Sequence, residues 1–339
     1  MKPFRLFVFL LSVLIGLGAL VYAGTGTLFF VSLAEAVQDA EDGLGSQSLT
    51  KLGVLRSAEL KEVSGIARSG IYADSFWCHN DSGHSPKLYL VRQDGEVLAE
   101  CAISGAQNAD WEDISSFSYG GVPYLAIGDV GDNRRRRENV AVYLLREPKI
   151  ELKSDERVKC QAKPLHKLLL KYEDGPRDCE ALGVAGETGE LLLIEKRQQD
   201  RTSQKAGVYR LDLKPFLSSK SGQKKRGAIK LPRIAEFPIR NVTGMAFSQD
   251  SQKIIARDYL AAHLIELQPG NGWGLQLKRS APKLVALPLE RQGEAICFDA
   301  TGAAVITTSE FQGQPIWQVT LKDTLEKKPD RPNRSETDK

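Results

Sequence analysis

Between residues 49 and 321 the chain alternates short apolar segments with polar or glycine-bearing turns, and it has no long stretch of helical amphipathic period. The segments 64–69, 75–78, 87–92 and 97–103, with the turn Gln93-Asp94-Gly95-Glu96 before the last, read as four short strands joined by tight connections. Similar groups follow at 114–119, 124–127, 140–145 and 166–172, then at 181–185, 190–194, 207–211 and 233–237, and then at 242–247, 253–256, 263–267 and 283–287. A last group, 295–298, 303–308 and 316–321, is one strand short, and 52–56 ahead of the first group can supply the missing one. The pattern predicts an all-β fold, a five-bladed β-propeller over 49–321 whose ring is closed by pairing of the N-terminal strand with the last blade. Closure of this kind removes open sheet edges. Six blades are the alternative if the insertion at 146–165 conceals a degenerate one.

Each group opens on a related phrase: Glu62-Val-Ser-Gly-Ile-Ala, Glu112-Asp-Ile-Ser-Ser-Phe, Glu180-Ala-Leu-Gly-Val-Ala, Asn241-Val-Thr-Gly-Met-Ala and Glu294-Ala-Ile-Cys-Phe-Asp. Their spacing of roughly 50 to 70 residues marks repeated structural units. The first strand of a propeller blade lines the central channel, so the phrases should ring one mouth. A second polar series closes the second strands: His79-Asn80-Asp81, Asp129 with Asp132-Asn133, Glu195-Lys196-Arg197, Arg257-Asp258 and Glu310. Because strand one leaves the mouth and strand two returns to it, both series are expected on the same face. Carboxylates gathered this way repel unless they are protonated, paired with basic side chains or bound to a cation. Oxygen-rich sets suit Ca2+, which tolerates roughly six to eight irregular ligands. Glu62, Asp81, Glu112, Asp129, Glu180 and Glu294 form the expected metal-ligand pool. The competing reading is that they cap backbone N–H groups or pair with neighbouring arginines.

Two loops carry further candidate chemistry. Trp77-Cys-His-Asn-Asp-Ser-Gly is read as a tight turn exposing His79, Asn80 and Asp81, and His79 is the histidine that falls among carboxylates. Gly128-Asp-Val-Gly-Asp-Asn-Arg packs Asp129, Asp132 and Asn133 between two glycines. His79, Asp81 and Asp132 are therefore the candidate catalytic residues for moving protons. Asn80, Asn133, Arg134, Lys196, Arg197 and Arg257 are the candidates for holding an anionic substrate. Serine-hydrolase elbows, HExxH zinc motifs and phosphate-cradling glycine loops are absent from the sequence.

Composition changes this picture little. The net charge of +3 over 339 residues gives no basis for a nucleic-acid partner, and a monomer is expected. Lys2 and Arg5 precede an apolar run from Leu6 to Ala23, with small residues before Gly24. Residues 1–23 therefore read as a signal peptide or membrane anchor, 24–48 as a linker and 322–339 as a disordered tail. The protein is then expected to be secreted or periplasmic, or held on the outer side of the cytoplasmic membrane by an uncleaved segment. The cysteines show no zinc spacing. Cys78 and Cys101, within one blade, are the expected disulfide pair if one exists, and otherwise the thiols read as small buried side chains.

Trp77-x-His79-Asn80-Asp81-Ser82-Gly83, Asp110-Trp111-Glu112-Asp113-Ile114, Gly128-Asp129-x-Gly131-Asp132-Asn133-Arg134 and Asp178-x-Glu180-Ala181-Leu182 together resemble bacterial exported β-propellers of the phytase-like or TolB-like type. The resemblance runs over about residues 55–312 and is strongest over 62–197. More distant propeller phytases and calcium-activated nucleotidases bind Ca2+ around an acidic mouth and cleave phosphate esters or anhydrides, although their full ligand motifs are not matched here. The acidic double ring makes Ca2+ the expected cofactor and a small phosphorylated molecule or a cell-envelope ligand the expected partner. Two functions follow as expectations: a Ca2+-dependent phosphoric ester or anhydride hydrolase, or a non-catalytic extracytoplasmic propeller that binds a ligand or protein.

Overall fold

A computed structural model of the chain describes residues 48–321 apart from 154–155, 197–204, 219–226, 269–271 and 280. The expected signal or anchor, nearly all of the linker, the C-terminal tail and Arg197 lie outside the described residues. Among those described, no helix is long and apolar enough to cross a membrane.

The described chain forms five sheets. Blade 1 holds β2 (Val63–Arg68), β3 (Ser75–Asn80), β4 (Lys87–Arg92) and β5 (Val97–Ile103), and blade 2 holds β6 (Trp111–Tyr119), β7 (Val122–Asp129), β8 (Val140–Arg146) and β10 (His166–Tyr172). Blade 3 is β11 (Cys179–Ala185), β12 (Glu190–Glu195), β13 (Ala206–Asp212) and β15 (Arg233–Phe237). Blade 4 is β16 (Gly244–Phe247), β17 (Lys253–Arg257), β18 (Ala261–Glu266) and β19 (Lys283–Ala286). Blade 5 takes β20 (Gly293–Phe298), β21 (Ala304–Ser309) and β22 (Pro315–Thr320) and is completed by β1 (Leu49–Val54), which pairs antiparallel with β22. Two short helices, α1 (Lys214–Leu217) and α2 (Trp273–Arg279), sit in connections. The all-β, five-bladed ring closed by its N-terminal strand is thus the fold.

The 146–165 insertion is not a sixth blade. It contributes β9 (Val158–Ala162), which joins blade 1 parallel to β5. In the same way β14 (Ile229–Leu231), from the connection inside blade 3, joins blade 2 parallel to β10. Each extra strand covers an edge that would otherwise present unpaired backbone groups.

Five apolar clusters fill the seams between successive blades. Every central strand is therefore packed on both faces, which is why Val140–Leu145 of β8 is buried at each position rather than at alternate ones. Trp77 and Trp111, both fully buried, join the seam between blades 1 and 2.

The inner strands β2, β6, β11 and β20 share one irregularity. Register slips between Val63 and Gly65, between Trp111 and Asp113, between Cys179 and Ala181, and between Gly293 and Ala295. The extra residue of each bulge is Ser64, Glu112, Glu180 or Glu294, and Thr243, whose N–H bonds Arg257 O before the Gly244↔Arg257 pair, holds the same place in blade 4. The repeated phrase therefore has a different phase from the one read in sequence. Glu62 and Asn241 occupy the position of Asp110, Asp178 and Gln292, two residues ahead of the bulge.

Candidate metal centre

A bulge leaves one residue unpaired and re-aims its side chain. Glu112 is placed in this way at the N-terminal end of β6, buried at the channel mouth. Asp110, two residues earlier, lies beside it, and Asp81 arrives at the end of β3. Carboxylate oxygens of Asp81, Asp110 and Glu112 lie within 4.8 Å of one another. Gly131 makes the space: a Cβ there would sit 1.9 Å from Glu112 Oε1 and 2.6 Å from Asp110 Oδ2. Its N–H bonds the Asp110 carbonyl at 3.2 Å, so the loop is fixed directly against the cluster.

The surrounding loops hold these carboxylates in place. Asp129 accepts the Asp110 N–H at 3.1 Å and pairs with Arg137 at 2.7 Å. Arg137 also donates to Gly131 O at 2.6 Å. Asp132 accepts the Arg137 N–H at 2.7 Å and donates its own N–H to Asp178 at 2.9 Å. Asn108 donates to Asp81 O at 2.7 Å, while its own oxygen receives the Trp111 N–H. The loop over Gly128–Arg137 is thus a brace for Asp110 and Glu112.

Charge is the dominant feature of the mouth. Burial raises Glu112 well above the usual carboxylate range, and the nearby Glu180, Asp81, Asp110 and Glu294 push it further. Asp81 is raised to about 6, again by burial first and then by Asp110, Glu294 and Glu62. Burial also raises Asp110, opposed by Arg137. Glu310, at the end of β21, is raised to about 8 by burial and by the neighbouring Glu294. Blades 3 and 4 supply the counterweight. Lys196 Nζ reaches Glu180 Oε2 at 2.5 Å and lies 5.3 Å from the centre of the Tyr259 ring. Burial works against the Lys196 charge, but Glu180 outweighs it and its pKa rises. Tyr259 in turn donates to Glu294 at 3.4 Å. The mouth is accordingly lopsided, acidic over blades 5, 1 and 2 and basic at Lys196.

Several of the expected site residues lie elsewhere or are engaged. Glu62 is exposed and pairs with His84 at 3.2 Å, outside the three-carboxylate cluster. Asp129 is committed to Arg137, and Glu180 to Lys196. His79 was expected in an exposed turn, but it ends strand β3 fully buried, edge-on to Trp111 with ring centres 5.5 Å apart. Its Nδ1 meets Asn80 O at 3.1 Å, its Nε2 has no partner at hydrogen-bond geometry, and burial lowers its pKa to about 4. Gly65 admits the ring, since a Cβ there would lie 2.3 Å from Nε2. Asn80 braces the preceding loop, accepting the Lys61 and Glu62 N–H groups and donating to Glu59 O at 2.7 Å. Arg257, expected at the mouth, is fully buried and pairs with Glu290 at 2.7 Å. Asn133 and Arg134 are exposed on the Gly128–Arg137 loop.

Two positions of the candidate site carry no signal of their place in the sequence. Asp110 stands in a motif but outside the expected ligand pool, because the sequence does not show the two-residue phase set by the bulge. Asp113 stands in the same motif with no role assigned to it. It is fully buried, and its carboxylate accepts N–H groups from Ile114 at 2.8 Å, Leu182 at 2.8 Å and Met245 at 3.1 Å. One side chain of β6 thereby ties together the inner strands β6, β11 and β16. A cavity of about 200 Å³ lies beyond this tie at the other end of the inner strands, lined by residues such as Ile66, Arg68, Phe117, Glu147 and Phe298.

No family model matches the chain, and no curated protein matches it. Among solved structures it is similar to the soluble aldose sugar dehydrogenase of Escherichia coli, at 12% identity over 82% of this chain and 100% of that chain, with a TM-score of 0.44. It is also similar to a gluconolactonase of Xanthomonas campestris, at 11% identity over 84% and 92% of the two chains, with a TM-score of 0.44. The WD40 domain of Neurospora crassa Pan2 is similar at 11% identity over 81% and 96%, with a TM-score of 0.39.

Proposed function

We propose that the channel mouth is a Ca2+ site, formed by Asp81, Asp110 and Glu112, and that the protein uses it outside the cytoplasm to hold a phosphate-bearing or similarly oxygen-rich ligand. The observation that carries this reading is the convergence of three carboxylates around the notch at Gly131. No Lys or Arg among the described residues comes within ion-pair distance of any of the three. Hard oxygen donors with no basic partner fit a hard cation better than they fit one another. Bound there, Ca2+ would supply positive charge for substrate oxygens and for a polarised water. Lys196, across the mouth, offers a second positive group to an anionic ligand while remaining bonded to Glu180. The resemblance to exported phytase-like propellers and the apolar run near the N-terminus support the extracytoplasmic setting.

Hydrolysis of a phosphate ester or anhydride is the more specific form of this proposal. It is favoured by Glu310 near 8, a side chain outside the three ligands that holds or releases a proton around neutral pH. His79 takes no part in it, because its ring is enclosed between Gly65 and Trp111. The test is thermal unfolding of the purified protein in EDTA, Mg2+ and Ca2+, alongside phosphate release from an aryl phosphate monoester and from pyrophosphate. Selective stabilisation by Ca2+ of several degrees is expected from mass action. Unchanged melting in Ca2+ rejects the site. Stabilisation with no phosphate release from either substrate rejects hydrolysis and leaves the non-catalytic binding role.

A further inference from the structure

The expected Cys78–Cys101 pair is excluded by the strand pattern: Cys78 points into the seam between blades 5 and 1, Cys101 into the seam between blades 1 and 2. A different pair is in register. Cys101 of β5 lies directly opposite Cys160 of β9 on a parallel ladder. Residues paired in register share a face, and neighbouring strands about 4.7–4.9 Å apart bring their Cα atoms within the roughly 4.4–6.8 Å that a disulfide spans. Both thiols pack on the same apolar cluster, and each is within hydrogen-bond reach of the other. Cys101 is fully buried, whereas Cys160 is part-exposed. Of the remaining thiols, Cys78 and Cys297 meet across the seam between blades 5 and 1 but are not paired on one ladder, and Cys179 lies between blades 2 and 3.

We propose that Cys101 and Cys160 form a disulfide that fastens β9, and with it the insertion of blade 2, to the outer edge of blade 1. The bond would close a loop containing β6, β7 and β8, the strands that place Asp110, Glu112 and Gly131 at the mouth. The chemistry balances by exchange with a disulfide oxidant such as oxidised glutathione. The Cys160 thiolate, the accessible one, attacks the oxidant and releases one glutathione thiolate. The Cys101 sulfur then displaces the second, so that two protons and two electrons leave the protein and one S–S bond remains. Cross-linking a loop of this length chiefly restricts the unfolded chain.

The experiment incubates the purified full-length protein with oxidised glutathione, alkylates it under denaturing conditions without reductant, and maps the digest by mass spectrometry. Expected is one linked peptide pair carrying Cys101 and Cys160, two hydrogens lighter than the reduced peptides, with Cys78, Cys179 and Cys297 alkylated. Reduction should lower the melting temperature by about 5–10 °C, and Cys160→Ser should remove that difference. Alkylation of all the cysteines, a bond between any other pair, or a glutathione adduct that persists on Cys160 overturns the proposal. Because the readout is a covalent link, it is independent of whether the mouth binds Ca2+.

Discussion

Replacing Asp113 should loosen the propeller at its axis. The carboxylate accepts N–H groups from Leu182 and Met245, on two other blades, in addition to that of its own neighbour Ile114. In Asp113→Ala all of these donors lose their acceptor at a fully buried position. Counting only the two inter-blade donors, at about 1–3 kcal/mol for each buried group left unpaired, the loss is about 2–6 kcal/mol. Burial of the carboxylate works in the opposite direction: it raises the Asp113 pKa well above the usual range, against the pull of the three N–H donors, and its removal relieves part of the loss. Asp113→Asn keeps one accepting oxygen but turns an amide N–H2 towards the remaining donors, so it should fall between the wild type and the alanine variant. At about 2 °C per kcal/mol for a domain of this size, Asp113→Ala should melt about 4–12 °C lower. Urea unfolding at pH 7, followed by intrinsic tryptophan fluorescence, gives the same comparison as a midpoint shift. An alanine variant within 0.5 kcal/mol of the wild type would refute the idea that this side chain holds the inner strands together.

The stability of the metal-free protein should fall as pH rises. Asp81 at about 6 and Glu310 at about 8 keep their protons in the folded state after the unfolded chain has released them, so their contribution is complete below pH 4 and is lost as pH climbs through 6 to 8. For Asp81 alone, displacement from 3.8 to about 6 corresponds to about 3 kcal/mol. Melting in EDTA between pH 5 and 8.5 should show the decline and Ca2+ should flatten it; a rise with pH would have the wrong sign. Gly131→Ala places a methyl group against Glu112 and Asp110 and should weaken Ca2+ binding at least about tenfold with the fold intact, as measured by calcium titration and circular dichroism. Gly65→Ala should destabilise by about 1–3 kcal/mol through its clash with His79, and combining it with His79→Ala should recover part of that loss in a double-mutant cycle.

Much of the fold is legible because a propeller repeats. Turn chemistry and the spacing of the apolar segments locate the blades, and the unpaired strand at each end of the chain reveals the closure. The edge strands β9 and β14 are harder to see, since Val158–Ala162 and Ile229–Leu231 are short, and their pairing is parallel and distant in sequence. The site is legible as a face but not as a set of ligands. A β-bulge shifts side chains by one position without altering composition, so aligning Glu62 with Glu112 looked natural although Ser64 is its structural counterpart. His79 shows the limit of reading loops from polar residues. A run of His, Asn and Asp resembles an exposed turn, yet Gly65 on the neighbouring strand leaves room for the ring inside the sheet. Asp113 gave no local signal, because the N–H groups that give it a role lie 69 and 132 residues away.

Isothermal titration of EDTA-stripped protein with CaCl2 at pH 7.5, repeated with Glu112→Gln and Asp110→Asn, tests the central claim most directly. The account predicts saturable binding of one ion at the cluster, proton release visible as a dependence of the enthalpy on the buffer, and at least about tenfold weaker binding in either variant. Absence of binding, or binding that neither substitution changes, would contradict it.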